Sequence, residues 1–159
     1  MNASDQATPG MRFPPPVAFG AGLALGFLLQ HFVPFTLVGP SSLPLLRLLG
    51  GGFILTGATL AASALITFRL AHTTVRPDRP AAELVTHGPF RLSRNPMYVS
   101  LALVQAGIAL LANALWPLLL LLPALLLIRY HVIAREETYL VSRFGHDYQA
   151  YCQSVRRWL

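Results

Sequence analysis

Two clusters of polar residues interrupt an otherwise apolar chain, and both carry side chains able to hold a small charged molecule. The first is the run His87-Gly88-Pro89-Phe90-Arg91-Leu92-Ser93-Arg94-Asn95-Pro96-Met97-Tyr98. Asn95 suits a helix N-cap and Pro96 the first helical position, so a helix is predicted to start here with backbone N–H groups free at its end. Such an end, backed by Arg91 and Arg94, can hold a carboxylate or a phosphate. The plainer reading is a helix cap whose arginines touch lipid headgroups. The second cluster is Arg129, His131, Arg135, Glu136 and Glu137, all within about two turns of one helix. Adjacent carboxylates at a membrane boundary are costly unless paired or bound to a cation. Glu136 and Glu137 are therefore functional candidates, or else an ion-paired helix exit with Arg135 or Arg94.

The elements that must position these residues are membrane helices. Only 11% of the 159 residues are charged and 54% are hydrophobic, against roughly a quarter charged in a soluble domain, so a water-soluble globular fold is excluded. The net charge of +6 comes entirely from arginine. These arginines sit beside apolar segments and form no solvated basic face, which argues for a membrane rim and against nucleic acid. A single cysteine, Cys152, rules out an internal disulfide, and with no basic cluster near it in sequence it reads as chemically idle.

Four apolar runs are predicted to cross the bilayer, at residues 17–38, 45–70, 97–112 and 114–133. The first carries Ala18, Gly22 and Gly26 on one face, where a neighbouring helix can approach closely, and Pro34 near its end. His31 is placed mid-membrane, as a packing residue. The second contains Arg47 and the Gly50-Gly51-Gly52 run. The third and fourth form a tight hairpin joined at Asn113, each arm near or below spanning length, with Pro117 and Pro123 expected to bend the fourth. Residues 71–96 form a long polar connection, a kind that is usually functional or disordered. From Ala134 an amphipathic tail helix is predicted over 134–159, with Leu140, Phe144, Tyr148 and Tyr151 as a packing stripe and Gly145 as a break. The N-terminal residues 1–14 are polar and proline-rich and are expected to be flexible.

Four crossings place Arg12, Arg69, Arg76, Arg79, Arg91, Arg94, Arg129, Arg135, Arg143, Arg156 and Arg157 on one side and only Arg47 on the other. The excess of positive charge marks the cytoplasmic side, so both termini and both polar clusters are expected there. The hairpin also returns Glu136 and Glu137 to the end where the third helix begins. The expected fold is a single all-α domain, a polytopic four-helix membrane bundle with a cytoplasmic C-terminal helix.

The run over residues 87–100, then Glu136-Glu137, then Phe144-Gly145 with Tyr148, Tyr151 and Val155, resembles the integral membrane methyltransferases related to isoprenylcysteine carboxyl methyltransferase and phospholipid methyltransferase. Thr73 and residues 77–84 fit the same pattern, which covers roughly the last 90 residues, several ordered motifs being more specific than any one alone. The resemblance implies an S-adenosylmethionine site on the cytoplasmic side. By matching position it implies that His87, Gly88, Pro89, Phe90, Arg94, Asn95, Pro96, Tyr98, Glu136 and Glu137 surround the cofactor, with Arg94, Glu136 and Glu137 as the catalytic candidates and no metal. S-adenosylmethionine offers an amino group for a carboxylate such as Glu137 and a carboxylate for Arg94 or the helix end.

Three positions depart from the pattern: Asn95 stands where many members have His, Ser100 where Gly is usual, and Arg156 where Pro often precedes Arg157. Asn95 cannot titrate near neutral pH, which removes it as a general base. The methyl acceptor is expected to enter from the lipid. A carboxylate or thiolate acceptor needs no base, whereas an amine could pass its proton to Glu136, His87 or His131. A bacterial inner-membrane location is expected. Two rival readings are a membrane reductase, because sterol reductases share an Arg-His-Pro-x-Tyr-like signature, and a non-catalytic scaffold. The small-residue face of the first helix could serve packing within one chain or between two.

Overall fold

The computed structural model of the protein describes residues 14–71 and 83–159. The expectations for Arg12, Thr73, Arg76, Arg79 and residues 77–82, and for the flexibility of nearly all of 1–14, fall outside the described residues. Helix α1 spans Pro15–Phe32, α2 spans Leu43–Leu70 after a 3-10 turn at Pro40–Ser42, and α3 spans Pro96–Leu111. A long helical rod, Leu115–Phe144, follows. It is made of α4 (Leu115–Leu119), α5 (Leu121–Leu127), a π turn (Ile128–Ile133) and α6 (Ala134–Phe144). Helix α7, His146–Ser154, completes the chain.

Two of the expected boundaries move, and the fourth helix is broken within. The first helix ends at Phe32 instead of running to residue 38, because Pro34 disfavours helical backbone at the residue before it, and Val33 has left the helical region at φ −131° and ψ 79°. His31 therefore lies in the last turn of α1, exposed and edge-on to Phe32, and not among packed helices at mid-membrane. The fourth helix does not stop at residue 133. It continues without a loop into α6, and only α7 is a separate helix, turned off at Gly145 with φ +53°. The rod is interrupted at Leu120, where Pro123 has no N–H to return to Leu119 and the next bond, from Ala124 N to Leu120 O, is stretched to 3.4 Å.

Helix α1, the segment Pro40–Leu70 and the rod are each long and apolar enough to cross a membrane, while α3 is apolar but has only 16 residues. At 1.5 Å per residue α3 reaches about 24 Å, short of the roughly 30 Å hydrocarbon layer. Phe32, Leu48, Leu55, Leu70 and Leu122 point outward, exposed, as expected for side chains facing lipid. The chain is an integral membrane protein.

The four helical segments alternate in direction and touch through small residues. A Cβ on Gly107 would lie 2.7 Å from the Gly50 carbonyl oxygen, and one on Gly50 would lie 2.8 Å from the Gly107 carbonyl oxygen, so α2 and α3 meet backbone to backbone. The α1 face does the same work inside this chain: Ala18 is buried in the core, Gly22 faces the Gln105 side chain, and a Cβ on Gly26 would meet Pro117 Cα at 2.5 Å. Ser100 stays in its tight place because Gly57 opposes it, and its hydroxyl turns back to the Met97 carbonyl at 2.7 Å.

At the end of the bundle away from the two polar clusters, Asn113 joins two turns. Its Oδ1 accepts from the N–H groups of Leu37 and Val38 at 2.9 and 3.0 Å, and its Nδ2 donates to the Val38 carbonyl at 2.9 Å. Asn113 also holds φ +51°, which Asn tolerates better than most residues. Asn113→Ala is expected to destabilise the fold by about 2–3 kcal/mol, because three backbone groups lose their partners. Asn113→Gly keeps the backbone and loses the same bonds, so the two variants should melt within a few degrees of each other in detergent. A much milder Gly variant would assign the effect to backbone strain instead.

Candidate functional site

The polar site forms where the start of α3, the far end of the rod and the C-terminal segment converge. The π turn is what delivers the carboxylates. Val132 and Ile133 are buried at the end of this turn, and one turn on Glu136 and Glu137 are both half-buried, while Arg129, Tyr130, His131 and Arg135 stay exposed.

Glu137 is held by two guanidiniums. Arg157 binds it in a bidentate fork, Nε to Oε1 at 2.9 Å and Nη2 to Oε2 at 2.6 Å, and Arg94 Nη1 stands 3.3 Å from Oε1. The second of the two arrangements expected from sequence, ion pairing with Arg94, therefore holds for Glu137, whereas Arg135 is exposed and takes no part. Glu136 is different. Its Oε1 accepts from the Tyr98 hydroxyl at 2.7 Å, and among the described residues no cation lies within ion-pair distance of it. Two arginines and one glutamate leave a local sum of +1 around Glu137, and Arg94 Nε is buried without a partner.

The C-terminal segment closes this site from below. The Arg156 carbonyl accepts from Arg94 N at 3.0 Å, and the Arg157 carbonyl accepts from Asn95 Nδ2 at 3.0 Å and from the Ser93 hydroxyl at 3.3 Å. Asn95 stands at the N-cap position but its side chain caps nothing. Its own N–H goes to Ser93 Oγ at 3.0 Å, and its carbonyl accepts from Tyr98 N and Val99 N. With Pro96 offering no N–H, the free amide cluster expected at this helix end is largely used up internally, and an anion here would depend on arginine side chains.

Cys152 also departs from expectation. Fold, not sequence, gives it a basic neighbour: Arg94 Nη1 donates to Cys152 Sγ. Burial, followed by the nearby thiol and Glu137, pushes the Tyr148 phenol well above its ordinary range. Burial pushes the Tyr151 phenol up to about 12, so across the neutral range it stays a donor, bonded to the Phe90 carbonyl at 2.6 Å. The bond from Glu137 raises Arg157 further above its already high value.

Of the residues singled out from sequence, Arg94, Tyr98, Glu136 and Glu137 come together in one polar cluster, and Asn95 joins it through the Arg157 carbonyl. Pro96 is buried at the head of α3. Pro89 is buried, and Phe90 is buried in a neighbouring apolar cluster with Ala64, Val85, Tyr148 and Tyr151, where it packs edge-on to Phe68 at 4.8 Å. Gly88 starts this turn at φ +61°, against the Thr67 side chain. His87 is exposed, and its carbonyl accepts from Phe90 N. Sequence reading gave no site role to Ser93 and above all none to Arg157. Nothing local marks Arg157, which is 20 positions from the glutamate it binds.

A model of the phospholipid methyltransferase family matches residues 45–147, a stretch that takes in α2, the 87–98 run, α3 and the whole rod with both glutamates. The chain belongs to the phospholipid methyltransferase family. Methyl transfer is thus the chemistry of the family in which the Arg94, Tyr98, Glu136 and Glu137 cluster sits, which separates this chain from the reductase alternative. A 65-residue Haemophilus influenzae protein described as uncharacterized is 49% identical over its whole length, which corresponds to 40% of this chain. No solved structure matches this phospholipid methyltransferase family member.

Proposed function

We propose that this protein is a four-span membrane methyltransferase that takes its methyl group from S-adenosylmethionine and passes it to a lipophilic acceptor at the cytoplasmic face of a bacterial inner membrane. The observation that carries the reading is the polar cluster at the end of an apolar bundle in a methyltransferase family: a +1 arginine–glutamate group with a buried, unpartnered Arg94 Nε, next to a glutamate without a cation. That donor set fits the cofactor. Its carboxylate suits the surplus positive charge of Arg94 and Arg157, and its ammonium and sulfonium suit Glu136. This alters one expectation, because Glu137 is already neutralised by two guanidiniums and Glu136 is the carboxylate left for a cation.

When bound, S-adenosylmethionine would supply a methyl group activated by a neighbouring sulfonium. The chain's own residues then have three tasks. Arg94 and Glu137 bind and orient, which is the main requirement of a displacement needing aligned partners. Phe90 and the apolar cluster around it exclude water beside the site. Tyr98 orients Glu136, which stands ready to take a proton where the acceptor is an amine; His87 and His131 are exposed. The orientation with both polar clusters inward follows from the arginine distribution.

Radiolabelled methyl transfer from S-adenosylmethionine in membranes expressing the protein, with the lipid fraction separated by headgroup, tests the reading. Label in a lipid species that depends on Arg94 and Glu137 is the expected result, and no label above that of membranes lacking the protein overturns it. With an amine acceptor, Glu136→Gln is expected to lower turnover by about 100-fold while binding of S-adenosylhomocysteine falls far less than in Arg94→Ala. Equal losses in both quantities would assign Glu136 to binding alone.

A further inference from the structure

We propose that Arg157 is the residue that positions Glu137 in the cofactor site, which makes the C-terminal segment 155–159 a working part of that site. The inference rests on the methyltransferase reading above and goes beyond the family match, which ends at residue 147. Three observations carry it. The fork from Arg157 occupies both oxygens of Glu137, at 2.9 and 2.6 Å, whereas Arg94 touches only Oε1 and at 3.3 Å. A planar guanidinium bound at two points fixes the plane of a carboxylate, which a single contact leaves free to rotate. The backbone of Arg157 is anchored independently of its side chain, by Asn95 and Ser93 on its carbonyl, and its neighbours Val155 and Trp158 pack into the two apolar clusters on either side.

The consequence concerns Arg94 as much as Glu137. With Arg157 in place, one guanidinium satisfies the glutamate and the other keeps a buried Nε uncommitted. Take the Arg157 fork away and Glu137 has Arg94 as its remaining cation, so Arg94 is drawn into the ion pair and its free face is lost to an incoming carboxylate. Arg157 is thus a positioning residue, acting on the cofactor through Glu137 and Arg94.

The test is calorimetric binding of S-adenosylhomocysteine to detergent-purified full-length protein, wild type against Arg157→Gln, Arg157→Lys and, as a charge-matched control, Arg143→Gln at the exposed end of α6. Because the segment is anchored through main-chain carbonyls, both Arg157 variants are expected to melt close to wild type. Arg157→Gln should weaken binding by about tenfold or more, and Arg157→Lys should fail to restore it, since an ammonium supplies the charge without the fork. In turnover assays KM for S-adenosylmethionine should rise while kcat stays within about twofold, as loss of ground-state positioning requires. Unchanged or tighter binding in the Arg157 variants, with wild type and Arg143→Gln both binding, overturns the proposal and makes Arg157 a bystander or a competitor for Glu137. Absence of binding in wild type overturns the parent reading and this one with it.

Discussion

Arg94→Ala is expected to weaken binding of S-adenosylhomocysteine by roughly 100-fold or more, and Glu137→Ala by a similar factor. Arg94 sits at the junction of the site. Its guanidinium faces Glu137 and the Cys152 thiol, its Nε is buried without a partner, and its main-chain N–H holds the Arg156 carbonyl. Truncating one partner of a buried, hydrogen-bonded charge contact to a ligand costs about 3 kcal/mol of affinity, which is the origin of the 100-fold figure. The two changes act on one group and should not add: the double variant is expected to bind about as weakly as either single one. Arg91→Ala, on the exposed side of the same turn, removes an arginine of equal charge and should leave binding near wild type. An Arg91 effect as large as that of Arg94 would show that general positive charge at this membrane face, and not the local cluster, governs binding.

The second large effect concerns stability. Gly50→Ala is expected to lower stability by about 2–3 kcal/mol, because the new methyl lands 2.8 Å from the Gly107 carbonyl oxygen and 2.9 Å from Leu111 N, backbone atoms that cannot move aside without parting two helices. Gly51→Ala and Gly52→Ala meet nothing within 4 Å. There a methyl only restricts the unfolded chain and improves helix propensity, so these variants should be neutral or more stable by about 0.5–1 kcal/mol. Three consecutive glycines thus carry opposite predictions, read as detergent melting midpoints. A uniform response across the three would contradict the backbone contact between α2 and α3.

These two effects mark how far sequence alone reached. The all-helical class, the hairpin at Asn113, the small-residue face of α1 and the packing stripe through Tyr148 and Tyr151 follow from periodicity and breaker residues, because such features are written within a few turns of the chain. So does the meeting of the 87–98 run with the glutamate pair, which follows from a hairpin returning to its starting side. Which of Gly50, Gly51 and Gly52 touches α3 was not legible, since that depends on rotation about the helix axis. The π turn was not legible either: the residues 128–133 read as ordinary helix, and the wider turn there resets the register between the apolar part of the rod and α6. Asn95 misled because its type and place fit an N-cap, but its main-chain carbonyl, not its side chain, accepts from Tyr98 N and Val99 N, and its amide donates to the Arg157 carbonyl in the C-terminal segment. Arg157 and the Arg94 contact to Cys152 are long-range meetings of segments about 60 positions apart, for which no local pattern exists.

The account turns on one property of the unmodified protein, its affinity for the cofactor product. Titrating S-adenosylhomocysteine into detergent-purified wild-type protein, with S-adenosylmethionine in parallel, is the most direct measurement. The account predicts saturable micromolar binding of both at one site per chain. A folded, monodisperse preparation that binds neither would contradict it, and the arginine–glutamate cluster would then stand as the ion-paired exit of a membrane helix.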